Sequence, residues 1–483
     1  MTAQTHYINI GIDLGIKAKN CAQIRDENGR KIEHDYSFYT TKEALDKICA
    51  KAQATSPEAK IRFIVEATGM AWFPIAVYGK THNHSVVRVK AQKVKDLRNF
   101  YDRNKKYDGL DTKTLTMLPT VDPDGLQEVY LAPAKVFTLS RRCRQRERLV
   151  DTITAQKNRI SSFFDWVFPG VMKCFSDPFG TVAKMFYRYY ANPFKVKDKT
   201  PEELAKDLSA LTNEKVDLTV SKAICEVAAR VCALYENSGE YVDFEELSRE
   251  LLLELELLEA YQIQLKEVEL EVKRLYDEVH PGKHIESLPG ISEKLGASLR
   301  SVIGEPHRFD GEKSCRAFIG FIPRQDSSGN MDKKGLPMSQ AGPNWGRRDF
   351  YMAAEVGRQW DPQLAKVYYE EMVYKGHCHT QAVCAVAVRM ISRVLRILKD
   401  SRDYEFRDIS GRRISKKEAK AIVKERYTVS EEVRRRLRNR KKRERDNFHK
   451  GLSRDNRDTP NIRSQNNNSE VKRKRQGVIL KCL

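Results

Sequence analysis

The sequence predicts a mixed α/β domain followed by a longer, mainly helical part, and three observations carry that prediction. Short apolar runs near the N-terminus, bounded by turn residues, alternate with amphipathic stretches. An apolar seam repeats at steps of three and four across residues 244–279. A polar, glycine-punctuated stretch, residues 321–335 (FIPRQDSSGNMDKKG), separates two helix-like segments. At 483 residues the chain has room for about three domains, each with its own core.

Residues 7–13 (YINIGID) and 19–25 read as strands, the Asn28-Gly29 pair as a hairpin turn, and residues 31–39 as the returning third strand. A helix pattern over 41–54 leads to the strand 61–66 (IRFIVE), a helix over 72–82 and a strand over 85–90. Three hairpin-joined strands followed by alternating helix and strand is the order of an RNase H-like fold, assigned here to residues 1–169.

Within that order, Asp13 and Glu66 each end a strand, and neighbouring strand ends bring distant carboxylates to one sheet edge. Asp108 and Asp111 are three apart at the opening of a helix, so both project from one face. Taken singly, each acid reads as a turn residue, a solvated strand end or an N-cap. Taken together, four converging carboxylates repel one another unless divalent cations lie between them. Such a set suits Mg²⁺, or Mn²⁺, in a two-metal arrangement at a phosphorus.

In the stretch 321–335, Ser327 and Ser328 lie between Arg324 and the pair Lys333 and Lys334. Cations would hold a phosphate there while a hydroxyl faced its phosphorus, although the same composition makes an ordinary surface turn. Arg347 and Arg348 open a helix beyond the loop and are candidate phosphate ligands.

Residues 170–242 form a helical linker region. Residues 243–280 carry the seam, broken only by Glu254, and predict a coiled-coil arm through which a dimer or tetramer would assemble; a helix packed on the body is the alternative. Residues 281–405 form a small helical domain, and 285–304 (IESLPGISEKLGASLRSVIG) reads as a helix-hairpin-helix turn or as a plain helical turn. Residues 406–483 read as a basic, flexible tail. His377, Cys378, His379 and Cys384 lack a second spaced pair and read as unliganded rather than as a zinc site.

A net charge of +21 makes a polyanion the expected partner, and no apolar run reaches the roughly 18 residues of a membrane span. Scattered cysteines and an N-terminus without a secretion signal indicate a reducing cytoplasm.

The segments GIDLG (11–15), VEATG (65–69) and YDGLD (107–111), with QDSSG (325–329) far downstream, resemble the DEDD transposases of insertion sequences. The resemblance runs from residue 8 to residue 399 in the family's own order. It implies a RuvC-like first domain whose acids match Asp13, Glu66, Asp108 and Asp111. It also implies a C-terminal transposase domain whose serine matches Ser328, the one directly before Gly329. The activity implied is cutting and rejoining of donor and target DNA, with sites chosen by an element-encoded guide RNA. Piv-type invertases share these motifs, and a RuvC-like junction nuclease would use the acids without the serine. One departure is SQAGPNWG (339–346), where the family has a Lys-x-Gly-Asn-like stretch.

Overall fold

A computed structural model describes residues 6–26, 28–32, 35–102, 108–324, 327–328, 331–332, 336, 338–339 and 341–455, with the backbone alone at 108, 124, 327–328, 331–332 and 444–455. The chain divides into two compact units, one ending at Ala132 and the other beginning at Pro133.

The first unit holds β1 (Tyr7–Asp13), β2 (Asn20–Arg25), β3 (Tyr36–Phe38), β4 (Lys60–Glu66) and β5 (Ser85–Val89) in one mixed sheet of order β3-β2-β1-β4-β5. β1, β2 and β3 run antiparallel in turn, whereas β4 and β5 are parallel to β1. β1 is central and covered on both faces, so Asn9 and Gly11 are buried along with Ile8, Ile10 and Ile12. Helices α1 (Lys42–Thr55) and α2 (Trp72–Thr81) bring Leu45, Ile48 and Ile75 against Ile8, Ile10 and Ile12. On the other face, α3 (Ala91–Tyr101) and α4 (Asp108–Val121) place Val94, Leu115 and Leu118 against Ile64 and Val89. Gly11 lets α4 lie directly on β1, because a Cβ there would strike Thr116 and the Thr112 carbonyl. Two expectations change: among the described residues the third strand is Tyr36–Phe38 plus a bridge from Arg25 to Lys31, and α3 was not anticipated.

The second unit opens with α5 (Ala134–Val167), which packs with the helices Phe244–Val279 and Glu293–Ile303 of that unit. After it, α6 (Thr181–Tyr190), α7 (Phe194–Lys197), α8 (Pro201–Thr212) and α9 (Leu218–Leu234) build a helical bundle around Phe164, Phe186, Tyr187 and Ile224. Helix α10 (Phe244–Val279) has the bounds the seam gave, with the Asp243 carboxylate accepting from the Glu245 and Glu246 amides as its N-cap.

The seam of α10 is covered within the chain. Leu251, Leu255 and Leu258 are buried in the bundle core, while Val268, Val272 and Leu275 join the core of the following domain. Each such side chain contributes roughly 1.5–3 kcal/mol by its burial. Glu254, the one break in the seam, is the acceptor for Gln156 and pairs with Arg159 of α5, and Arg146 of α5 binds Glu269 at 2.9 Å. The acidic side of α10 is therefore matched to a basic side of α5.

Beyond it come α11 (Glu293–Ile303), α12 (Glu312–Ile319), the hairpin strands β6 (Ser327–Ser328) and β7 (Met331–Asp332), α13 (Asn344–Gly357), α14 (Pro362–Tyr369) and α15 (His379–Asp400). Helix α15 is the axis of this domain, with Val383, Val386, Ala387, Met390, Ile391 and Val394 fully buried. Two more helices, α16 (Lys416–Arg426) and α17 (Glu431–Asp455), follow.

Two readings of this region are corrected. The segment from 406, expected to trail freely, packs on the domain as far as α17. Val429 and Leu437 enter the core, Gln363 donates to the Asp408 carbonyl at 2.9 Å, and Tyr404 donates to the buried Asp361 at 2.5 Å. The turn at Pro289-Gly290 is no phosphate-facing hairpin either. Gly290 has φ +95° and lies against the α13 backbone, where a Cβ would run into the Ala353 carbonyl. No described helix is long and apolar enough to cross a membrane.

Candidate active site

The sheet places the first two acids side by side. Ile12 pairs with Val65 in parallel register, so Asp13 and Glu66 follow on adjacent strands whose backbones lie about 5 Å apart. Both side chains are half-buried. The close seat of α4 on Gly11 brings the start of that helix to the same end of β1, with Asp108 at its first position and Asp111 three residues on. The side chain of Asp108 lies outside the described atoms. Asp111 is 13% exposed, and its Oδ1 accepts from Arg98 Nη1 at 2.9 Å.

Arg98 went unnoticed in the sequence, where it sits in a mixed-charge helix with nothing to tie it to an acid 13 residues away. It supplies a positive charge that offsets the charge of Asp111. Among the described residues no three of His, Cys, Asp and Glu stand close enough to hold a metal ion. Asp13 and Glu66 at the sheet edge carry carboxylate oxygens, the donor type that Mg²⁺ favours.

The serine lies on an arm closed at its base. α12 ends at Gly320, in the left-handed region at φ +90°, and the chain leaves through the buried Phe321. Returning, Ser339 N–H donates to the Ile322 carbonyl at 2.8 Å and Met338 bridges Pro323. Gly342 then passes so close to α12 that a Cβ would meet the Phe318 and Ile319 carbonyls. Between these ends, Ser327 pairs with Asp332 and Ser328 with Met331 across the antiparallel hairpin. Arg324 is exposed on the outgoing side. Lys333 and Lys334 lie outside the described residues.

The two arginines read as phosphate ligands have partners within the protein, Arg347 buried and Arg348 with 46% of its side chain exposed. Arg347 is only 7% exposed, and it donates to the Gly342 carbonyl at 2.7 Å, to the Ile319 carbonyl at 3.5 Å and to Asn344. It ties together the two ends of the serine arm. Arg348 pairs with Glu147 of α5 and with Asp349 at 3.3 Å. Burial raises the pKa of Asp349, whose carboxylate takes the Ser298 hydroxyl and Arg348 as partners. Arg347→Ala is expected to cost about 2–3 kcal/mol of stability, since it removes charge-assisted bonds and strands two buried carbonyls. It should also speed amide exchange at Ser339 well before the rest of the domain, a pattern that hydrogen exchange by mass spectrometry would read directly.

The sequence read as a metal-free cluster near residue 377 has other partners. His377 Nδ1 meets Glu371 at 2.6 Å, and His379 meets Tyr368 at 2.8 Å and Glu355 at 3.3 Å. Despite a burial cost that favours the neutral acid, His379 and Arg358 hold Glu355 down at about 2.

Known proteins align with both halves of this arrangement. The DEDD transposase model of IS110 elements matches residues 10–169, and the model for transposases of the IS116/IS110/IS902 family matches residues 282–370. The uncharacterized 44.8 kDa protein of insertion element IS116 from Streptomyces clavuligerus is 22% identical over 409 residues, spanning 83% of this chain and 97% of that protein. The uncharacterized 43.6 kDa protein of insertion element IS110 from Streptomyces coelicolor is 27% identical over 155 residues, 32% of this chain and 38% of that protein. The transposase for insertion sequence element IS1111A from Coxiella burnetii is 36% identical over 50 residues, 10% of this chain and 14% of its own length. With the acids inside the first matched segment and the serine inside the second, the chain belongs to the IS116/IS110/IS902 family of DEDD transposases, enzymes that cut and rejoin DNA.

Proposed function

We propose that this transposase breaks DNA with Ser328 as nucleophile and with Asp13, Glu66, Asp108 and Asp111 acting on the same phosphodiester. The observation that carries the reading is the register of β1 and β4, which puts Asp13 and Glu66 on adjacent strand ends with α4 seated against them. The strand order β3-β2-β1-β4-β5 supports the RNase H-like, RuvC-like assignment of this unit. Divalent cations held by the four carboxylates would supply Lewis-acid stabilisation of the charge that builds on the phosphate oxygens.

For the serine, the step balances simply. Ser328 Oγ forms an ester bond to phosphorus, the bond to the leaving sugar oxygen breaks, and the serine proton ends on that oxygen. The phosphoserine link conserves bond energy, so a second sugar hydroxyl attacking the same phosphorus reverses the exchange and frees the serine. The arm positions this group through Arg347, Gly320 and Gly342, while Arg324, Lys333 and Lys334 offer cations to the phosphate.

The net charge of +21 suits a nucleic-acid partner beyond the DNA itself, and the family resemblance points to a guide RNA encoded by the element. Sequencing of RNA that co-purifies with the protein tests this: a defined transcript from beside the gene is expected, and a bulk of ribosomal fragments would argue against it. Association of subunits through α10 would have to use exposed residues such as Leu253 and Leu270, because the seam itself is taken up by its own chain. A site-specific invertase of the Piv type would use the same chemistry on a fixed segment.

A further inference from the structure

Five arginines lie between positions 141 and 148 of α5, and the fold divides them into two sets. Arg146 faces α10 and binds Glu269 at 2.9 Å, and Arg142 donates to Gln145 at 2.7 Å. Arg141, Arg144 and Arg148 are exposed, and none of the three pairs with an acid among the described residues. Their spacing of three and four puts them on one side of the helix over about 10 Å. Arg144 lies over the indole of Trp345, 4.2 Å from the ring centroid. Its pKa is lowered by burial and by the charges of Arg141 and Arg148, so the three cations sense one another.

Trp345 ties this row to the serine arm. It stands in the first turn of α13, two residues before Arg347, whose guanidinium joins Ile319 and Gly342 at the base of the arm. We propose that Arg141, Arg144 and Arg148, with Trp345 fixing the middle guanidinium, form a track for the phosphate backbone of the DNA flanking the scissile bond. Three planar cations over about 10 Å match the axial length of about three successive phosphates on one strand. An acidic protein is the weaker occupant, since this chain's own acidic helix is already matched to Arg146 and Arg159 of α5. The inference rests on the reading of the chain as a DNA recombinase and names positioning residues, not catalytic ones.

The test uses the full chain and a fluorescent DNA duplex, with binding followed by anisotropy across a salt series under conditions that permit no cleavage. The triple variant R141Q/R144Q/R148Q is expected to lower the slope of log affinity against log salt by about 3, whatever the duplex sequence, and the triple lysine variant to retain most of it. The double variant R141Q/R148Q removes two side chains that bond to nothing among the described residues, so its fold is kept, and the slope should fall by about 2. An unchanged slope in the double variant overturns the track. So does a loss confined to a structured RNA hairpin with duplex binding intact. Because no cleavage is read, an unchanged slope beside a serine-dependent covalent adduct rejects the track alone and leaves the recombinase reading standing.

Discussion

Asp13→Asn is expected to lower DNA strand cleavage at least about a hundredfold while DNA binding stays level or tightens. The two effects separate because the variant removes a negative charge that repels the DNA backbone and, at the same time, an oxygen needed to hold divalent cations. Asp13 ends the central strand beside Glu66, so no neighbouring side chain replaces its position. If Asp13 served only to shape the turn after β1, the variant would lose thermal stability and keep its activity per folded molecule. Cleavage rate, duplex affinity and thermal midpoint measured on one preparation distinguish the two. A metal readout adds independence: the shift in thermal midpoint on adding Mg²⁺ should shrink in the variant.

Ser328→Ala is expected to reduce strand exchange by several orders of magnitude, since it removes the attacking hydroxyl from the position the family motif gives it. Ser327→Ala, one residue away, should retain most activity if the family's serine position is the one that acts. The pair is informative because the two changes are the same size and sit in the same hairpin, so a general disturbance of β6 and β7 would damage both. Loss in Ser327→Ala with retention in Ser328→Ala would exchange their roles. Equal retention in both would leave hydrolysis by water as the chemistry, which is the junction-nuclease alternative.

Much of the first unit could be read from residues alone, for a physical reason. β1 and β4 carry Ile8, Ile10 and Ile12 and Ile61, Phe63, Ile64 and Val65 in the core, so both read as strands whatever packs on them, and the acids at their ends follow from strand bounds. The bounds of α10 were equally legible, because a seam at steps of three and four specifies a helix whatever covers it. Its partner was not legible: periodicity shows that a face is apolar, and nothing in it distinguishes α5 of the same chain from a second copy. Glu254 looked like a flaw in the seam and is instead the residue that answers Gln156 and Arg159.

The misread residues share a cause. Arg347 looked like a phosphate ligand because its charge is visible in sequence, whereas the closure of the arm that buries it depends on contacts among Ile319, Gly342 and Asn344. Gly290 looked like an approach for phosphate, and the backbone it admits is that of α13. In the region after 406 the two buried anchors, Val429 and Leu437, are thinly spread among charges, so composition concealed a packed extension. Arg98 bound to Asp111 had no local signal at all.

The central claim is a covalent bond between this chain and DNA at one hydroxyl, and trapping then mapping that bond tests it most directly. Protein quenched during strand exchange, digested with protease and nuclease, should yield the peptide spanning Ser327 and Ser328 with a nucleotide remnant, and fragmentation should place the added mass on Ser328. A remnant on a different residue, or efficient exchange with no protein-linked DNA at any time, would contradict the account.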